Sequence, residues 1–227
     1  MAQHGFLRTS NWTCATMATA ADGTARAVFT LRSSDATAAV YPHAFEAEYA
    51  VTLGAASLTT ALKIANTDFP GTAAVAPQML LHTYYAISAV EDVELRGLSG
   101  ARFLDKVAGG AAATDADATL RVRGETDRVY LTGGAGDALR LQICERGAPL
   151  MRVTCEASFG GPDGDVRFVP DCVAWNPWIA KSKSMGDFGD DEYKTMICVE
   201  PGILNDDRPK IAPGSEVTLT QTIEPLA

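Results

Sequence analysis

The 227-residue sequence contains no apolar run approaching the ~20 residues that carry a helix across a bilayer. It does not open with a basic stretch followed by an apolar one, so no secretory signal is expected and a cytoplasmic setting follows. Its five cysteines (Cys14, Cys144, Cys155, Cys172 and Cys198) are odd in number and form no CxxC pair. That disfavours a disulfide framework and a zinc site, and leaves reduced, mostly buried thiols as the expectation. Positive charge is scarce: 19 Lys and Arg face 28 Asp and Glu, a net charge of −9. Such a balance argues against nucleic acid and against an anionic membrane surface as partners. No phosphate-binding P-loop is present, because Gly133-Gly-Ala-Gly136 lacks the following Lys and helix and reads as a hairpin turn.

Long helical periodicity is also missing; alternation takes its place. Ala47, Tyr49, Val51 and Leu53 alternate with Glu46, Glu48, Ala50 and Thr52, and after Gly54 a second run carries Leu58, Leu62 and Ile64. Two such runs around a Gly-containing turn predict a hairpin. Trp12–Ala18 and Ala25–Leu31 around Asp22-Gly23 predict another. Leu139–Ile143 and Met151–Phe159 around Gly147 predict a third, and Val217–Ile223 a last strand. Ala108–Ala118 reads as a low-complexity loop, and only Ile179–Tyr193 has room for a short helical turn. The expectation is one all-β domain over 1–227, a sandwich or a barrel.

Several polar residues stand out against this background. Glu200 lies in Met196-Ile-Cys-Val-Glu-Pro-Gly202, where a strand is expected to end at a Pro-Gly turn, and His82 lies in Gln78-Met-Leu-Leu-His-Thr-Tyr-Tyr85. An imidazole and a carboxylate can share acid and base work at neutral pH when their surroundings separate their protonation states. Taken alone, each has a plainer reading, a structural histidine and a solvated strand-end carboxylate. Asp127, before the apolar Val129-Tyr-Leu131, reads on its own as a turn-forming residue. Gln3, His4 and Arg8 share Gln3-His-Gly-Phe-Leu-Arg8, and a guanidinium is a bidentate phosphate ligand or merely a solvated charge. His43, beside Pro42, reads as a loop residue. Trp175, Asn176 and Trp178 suit either a sugar-stacking surface or a core turn. Lys181 and Lys183 would extend a basic cluster or stay solvated.

The blocks Asp171-Cys-Val-Ala-Trp-Asn-Pro-Trp178, Met196–Gly202, Gln78–Tyr85, Gln3–Arg8 and Thr126-Asp-Arg-Val-Tyr130 together resemble the glucose-6-phosphate 1-epimerase (hexose-6-phosphate mutarotase) branch of the aldose 1-epimerase family. The likeness runs from Gln3 to about Ile223. It implies a galactose mutarotase-like β-sandwich and a hexose 6-phosphate substrate, converted without metal or cofactor by a monomer. It further implies that His82 is the acid and Glu200 the base, that Gln3, His4 and Asp127 bind the sugar, and that Arg8 faces the phosphate. Related epimerases carry a segment before Gln-His-Gly with a further Gly-flanked arginine; its lack is expected to leave a sheet edge unpaired and apolar surface uncovered. A mutarotase of unphosphorylated aldoses and a non-catalytic sugar-binding sandwich are the competing expectations.

Overall fold

The computed structural model describes residues 4–68, 70–133, 136–161, 164–204 and 210–226. Its first hairpins are β1 (Thr13–Thr19) with β2 (Ala25–Arg32) and β3 (Phe45–Leu53) with β4 (Leu58–Asn66). Short strands follow: β5 (Met79–Leu80), β6 (Tyr84–Ala86), β7 (Val93–Arg96), β8 (Arg102–Asp105), β9 (Ala111–Thr114) and β10 (Thr119–Arg121). The second half holds β11 (Thr126–Leu131), β12 (Leu139–Glu145), β13 (Ala148–Gly161), β14 (Gly164–Phe168), β15 (Asp171–Asn176), β16 (Met196–Ile203) and β17 (Glu216–Pro225). Helices are short, α1 (Asp35–Ala38) and α2 (Trp178–Lys183) with a few 3-10 turns.

These strands form two antiparallel sheets. The ten-stranded sheet runs β1-β2-β3-β4-β17-β13-β12-β7-β10 with β14 beside β13, and the seven-stranded sheet runs β5-β16-β15-β11-β8-β9 with β6 beside β16. Their facing sides share the core. Leu141, Ile143, Val153 and Cys155 of the large sheet pack with Tyr130, Cys172, Ala174, Ile197 and Val199 of the small one. A second cluster, including Leu62, Ile64, Val217 and Leu219, closes over Met79, Leu81 and Ile203. All three expected hairpins and the last strand are present. The burial of β3 departs from its sequence pattern: Phe45 and Ala47 are buried, but Leu53 at the hairpin tip is exposed. Among the described residues the tip is left uncovered, although the alternation continues into it.

Three expectations fail. The alanine-rich stretch contains a strand, β9, paired with β8. Gly109 and Gly110 adopt positive φ (69° and 86°) and turn the chain back, and the Gly110 N–H donates to the Asp105 carbonyl at 2.7 Å. The ladder needs only backbone groups, which alanine supplies as well as valine does. Gly133–Gly136, where Gly134 and Ala135 lie outside the described residues, does not close a hairpin; its flanking strands β11 and β12 belong to different sheets. Glu200 is not at a strand end either. β16 continues through Pro201 and Gly202 to Ile203. The Pro201 carbonyl accepts from the Leu81 N–H at 3.0 Å, so the donor that proline lacks falls on the side of the two-residue edge strand β5, and the ladder to β15 stays whole. A Cβ on Gly202 would stand 3.0 Å from the Met79 carbonyl oxygen and 2.8 Å from the Leu204 side chain, so glycine lets β5 approach there.

Candidate active site on the outer face of the seven-stranded sheet

Register decides which side chains meet. Directly opposed residues of antiparallel strands project to the same face, and the next pair to the other. Tyr84 opposes Cys198, Cys198 opposes Trp175, Trp175 opposes Asp127, and the Lys106 N–H donates to the Asp127 carbonyl at 2.8 Å. One row of side chains thus crosses four strands. In the neighbouring row Glu200 opposes Val173, which opposes Val129. His82 joins this row because Leu81 N–H donates to Pro201 O at 3.0 Å and Val199 N–H to Thr83 O at 3.3 Å, bracketing His82 opposite Glu200. The intervening Tyr85, Ile197, Val199, Ala174 and Tyr130 face the core.

The two candidate proton carriers consequently touch: His82 Nδ1 lies 2.8 Å from Glu200 Oε1. The Glu200 side chain is only 4% exposed, that of His82 32%, so the pair has one face to solvent. Glu200 Oε1 has almost no exposed surface of its own, and His82 Nδ1 stands beside it. Behind the pair, Thr83 Oγ1 donates to Gln221 Oε1 at 2.7 Å, and Gln221 Nε2 donates to the Tyr85 hydroxyl at 2.9 Å. This buried bridge ties the backbone flanking His82 to the opposite sheet, so the imidazole is held by a fully hydrogen-bonded support.

The amino-terminal segment covers the same face. His4 and Gly5 take positive φ (65° and 67°), and the His4 ring comes within 5.1 Å of the His82 ring. Phe6 anchors the segment against Tyr41 and Phe45, and the 3-10 turn Leu7–Thr9 presents Arg8 to solvent. Burial lowers the His4 pKa, His82 and Arg8 lower it further, and Glu200 and Asp127 oppose them. Burial raises the Asp127 carboxyl, with Lys106 and Lys181 opposing and Glu200 adding. The Tyr84 hydroxyl is pushed up to about 12, chiefly by burial, with Cys198, Glu200 and Asp187 adding and Arg8 opposing. These mutual influences locate His4, Arg8, His82, Asp127 and Glu200 in one neighbourhood. Gln3 lies outside the described residues.

A family model described as aldose 1-epimerase matches residues 1–224. The chain belongs to the aldose 1-epimerase family. A curated relative from Cenchrus ciliaris, provisionally named a glucose-6-phosphate 1-epimerase, is 33% identical over 193 residues, 82% of this chain. The chain spans about half (52%) of that relative's length. A solved structure from Salmonella typhimurium, provisionally described as a mutarotase, superposes with a TM-score of 0.75 at 26% identity, covering 98% of this chain and 67% of that one. A galactose mutarotase-related enzyme from Lactobacillus acidophilus shares the fold, with a TM-score of 0.66 at 14% identity over 99% of this chain and 74% of its own. The fold is therefore the galactose mutarotase-like β-sandwich.

Within this epimerase frame the tryptophan block divides. Trp175 is half-buried on the site face, with its ring 5.9 Å from Tyr84 and 6.3 Å from Phe188. Asn176 is fully buried and structural: its amide donates to the Tyr193 and Met196 carbonyls, both at 2.9 Å, and its Oδ1 accepts from the Trp178 N–H. Trp178, at φ 56°, packs on Tyr193 and the core. The Lys181 charge of α2 acts on Asp127, whereas that of Lys183 acts on Asp191. His43 is a loop residue packed on Tyr41. Sequence reasoning missed Tyr84, which stacks on His82 with centroids 5.3 Å apart and rings 15° from parallel, and also Cys198, Lys106 and Phe188. A signal existed for the first two. Tyr84 is two residues from His82 and Cys198 two from Glu200, the spacing that keeps side chains on one face of a strand.

The five cysteines are free and four are buried, as expected. His82, Cys198 and Glu200 offer donor atoms within 4.8 Å of one another, the set among the described residues suited to a metal ion. On the ten-stranded sheet, a shallow groove beside Glu156, Arg167 and Thr220 gathers no comparable acid–base set. No helix among the described residues is long and apolar enough to cross a membrane.

Proposed function

We propose that this chain interconverts the α and β anomers of a hexose 6-phosphate, D-glucose 6-phosphate or a close relative, with His82 as acid and Glu200 as base. The observation that carries the reading is the His82 Nδ1–Glu200 Oε1 contact of 2.8 Å on a face that also holds Asp127, Trp175, His4 and Arg8. The Glu200 carboxylate, buried against His82, accepts the proton of the anomeric hydroxyl. As that proton leaves O1, the C1–O5 bond breaks, the electron pair moves to the ring oxygen, and the His82 imidazolium protonates it. Rotation about C1–C2 in the open aldehyde exposes the other carbonyl face. Closure reverses both transfers, with His82 recovering the O5 proton and Glu200 returning one to O1.

The remaining groups serve orientation. Asp127 accepts hydroxyl hydrogen bonds, and the Trp175 and Tyr84 rings offer apolar faces to the sugar. In a chain of net charge −9, Arg8, Lys106 and Lys181 at the rim supply the local positive potential that a phosphate requires. The glucose-6-phosphate name of the Cenchrus ciliaris relative agrees with this choice of substrate.

The test follows relaxation of freshly dissolved α-glucose 6-phosphate by one-dimensional NMR against the spontaneous rate. Glu200→Gln keeps the size and the hydrogen bond but cannot take a proton. It is expected to lower kcat by about 10²–10⁴-fold with little change in substrate affinity. His82→Asn should do likewise, and the double variant should be little worse than either single, because both groups act in one transfer cycle. Wild-type relaxation in both single variants of an active protein defeats the assignment.

A further inference from the structure

We propose that His82 Nδ1, Cys198 Sγ and Glu200 bind one thiophilic divalent cation, Zn²⁺, and that the ion and the sugar exclude each other from this face. Metal binding is argued from geometry; the mutual exclusion rests on the acid–base reading above.

Cys198 and Glu200 are two residues apart on β16 and share a face, and His82 is bracketed opposite Glu200. The three donor atoms lie within 4.8 Å of one another, with both β16 residues buried and His82 exposed enough to admit an ion. In a tetrahedral site, Zn–N and Zn–O bonds of about 2.0–2.2 Å and a Zn–S bond of about 2.3 Å set donors roughly 3.3–3.6 Å apart. His82 and Glu200, now at 2.8 Å, need only part slightly, while any wider pair closes by about 1 Å. Glu200 is a carboxylate only 4% exposed whose Oε1 already sits 2.8 Å from the His82 Nδ1 donor, so the two ligands are brought together before any ion arrives.

The donor chemistry selects the ion. One imidazole, one thiol and one carboxylate suit zinc and leave a fourth position open to water or a sugar oxygen. Ca²⁺ and Mg²⁺ want several oxygens, and this cluster offers one carboxylate. Burial first, and then the Glu200 charge and a hydrogen bond to Glu200, hold the Cys198 thiol in its protonated form. The same negative charge that disfavours a lone thiolate favours a dication. On binding, the thiol proton leaves to solvent and the Zn–S bond replaces S–H, so two anionic donors neutralise the ion. The site would turn the acid and the base into ligands, and a pyranose between them would deny the ion its donors.

The experiment uses the full chain with Cys14→Ser, which removes the exposed thiol on β1. Zn²⁺ is titrated in competition with a chromogenic chelator, and Co²⁺ is followed by its thiolate-to-metal charge-transfer band. One ion per chain and a charge-transfer band are expected. Cys198→Ser should abolish the band, and Cys198→Ser and His82→Asn should each weaken Zn²⁺ by at least about tenfold. His82 is partly exposed, so its substitution tests the site without threatening the core. Absence of the band, or Zn²⁺ affinity unchanged in both variants, overturns the metal site. Saturating glucose 6-phosphate should weaken Zn²⁺ binding more than inorganic phosphate at equal concentration does. If it does not, the mutual exclusion is wrong, while the anomerisation assay decides the acid–base roles separately.

Discussion

β16 and β1 are both regular strands, yet every residue of Met196–Ile203 is buried and every residue of Thr13–Thr19 is exposed. β16 lies between β15 and the short β5 and β6, and its faces differ in duty. Ile197 and Val199 enter the core, whereas Cys198 and Glu200 enter the site. Among the described residues β1 is the edge of the ten-stranded sheet, paired with β2, with a register shift between Cys14 and Thr16 and Met17 79% exposed. Backbone pairing is enough to make a strand. Position in the sheet decides whether its side chains carry packing, chemistry or neither. The irregularity in β1 is of the kind that blunts an edge against further pairing.

Substitutions within β16 should separate its two faces. Glu200→Gln is expected to have the largest effect on activity, the loss in kcat stated above, with a smaller change in Tm than a core truncation gives, because Gln keeps the size and a polar contact with His82. A Tm drop comparable to that of a core truncation would show that the site face is also structural. Ile197→Ala, on the opposite face, should cost about 2–5 kcal/mol of stability by denaturant unfolding while the surviving folded protein keeps its anomerisation rate. Arg8→Ala, away from either strand, should weaken binding of phosphorylated hexoses by about 1.5–3 kcal/mol and leave free glucose nearly unaffected. Equal calorimetric losses for both sugars would assign Arg8 to a structural role. In β1, Met17→Thr should change stability by less than about 0.5 kcal/mol, and a larger loss would mean that something covers this edge.

Asp127 gives the comparison a pH dependence. Burial holds its carboxyl above the ordinary 3.8, so folding disfavours the ionised form. That penalty is complete above the folded-state pKa and vanishes below 3.8, where folded and unfolded chains are both protonated. Asp127→Asn is therefore expected to raise Tm at about pH 7, with the gain shrinking as the pH is lowered towards about 4. A gain that does not change with pH would remove burial of the charge as its cause.

Much of this was legible along the chain. Alternation and Gly-containing turns identify the three hairpins and β17, because the two-residue period of a strand is local backbone geometry. The likeness of the Gln3–Arg8, Gln78–Tyr85, Thr126–Tyr130 and Met196–Gly202 blocks to the epimerases pointed to the residues that now share one face. What the pattern could not supply was burial and neighbourhood. Leu53 alternates like a core residue and is exposed at the hairpin tip. Ala111–Thr114 looked unstructured and pairs through its backbone alone. Pro201-Gly202 looked like a stop and lies within a strand that runs on to Ile203, since proline's missing donor falls on the edge side. That His82 stands opposite Glu200 and Tyr84 opposite Cys198 depends on the register of segments more than 100 residues apart in the chain. Local periodicity sets which face of a strand a residue takes. Only the hydrogen-bonded register between distant strands sets which side chains become neighbours, because that register is chosen by burying the two sheets' inner faces against each other.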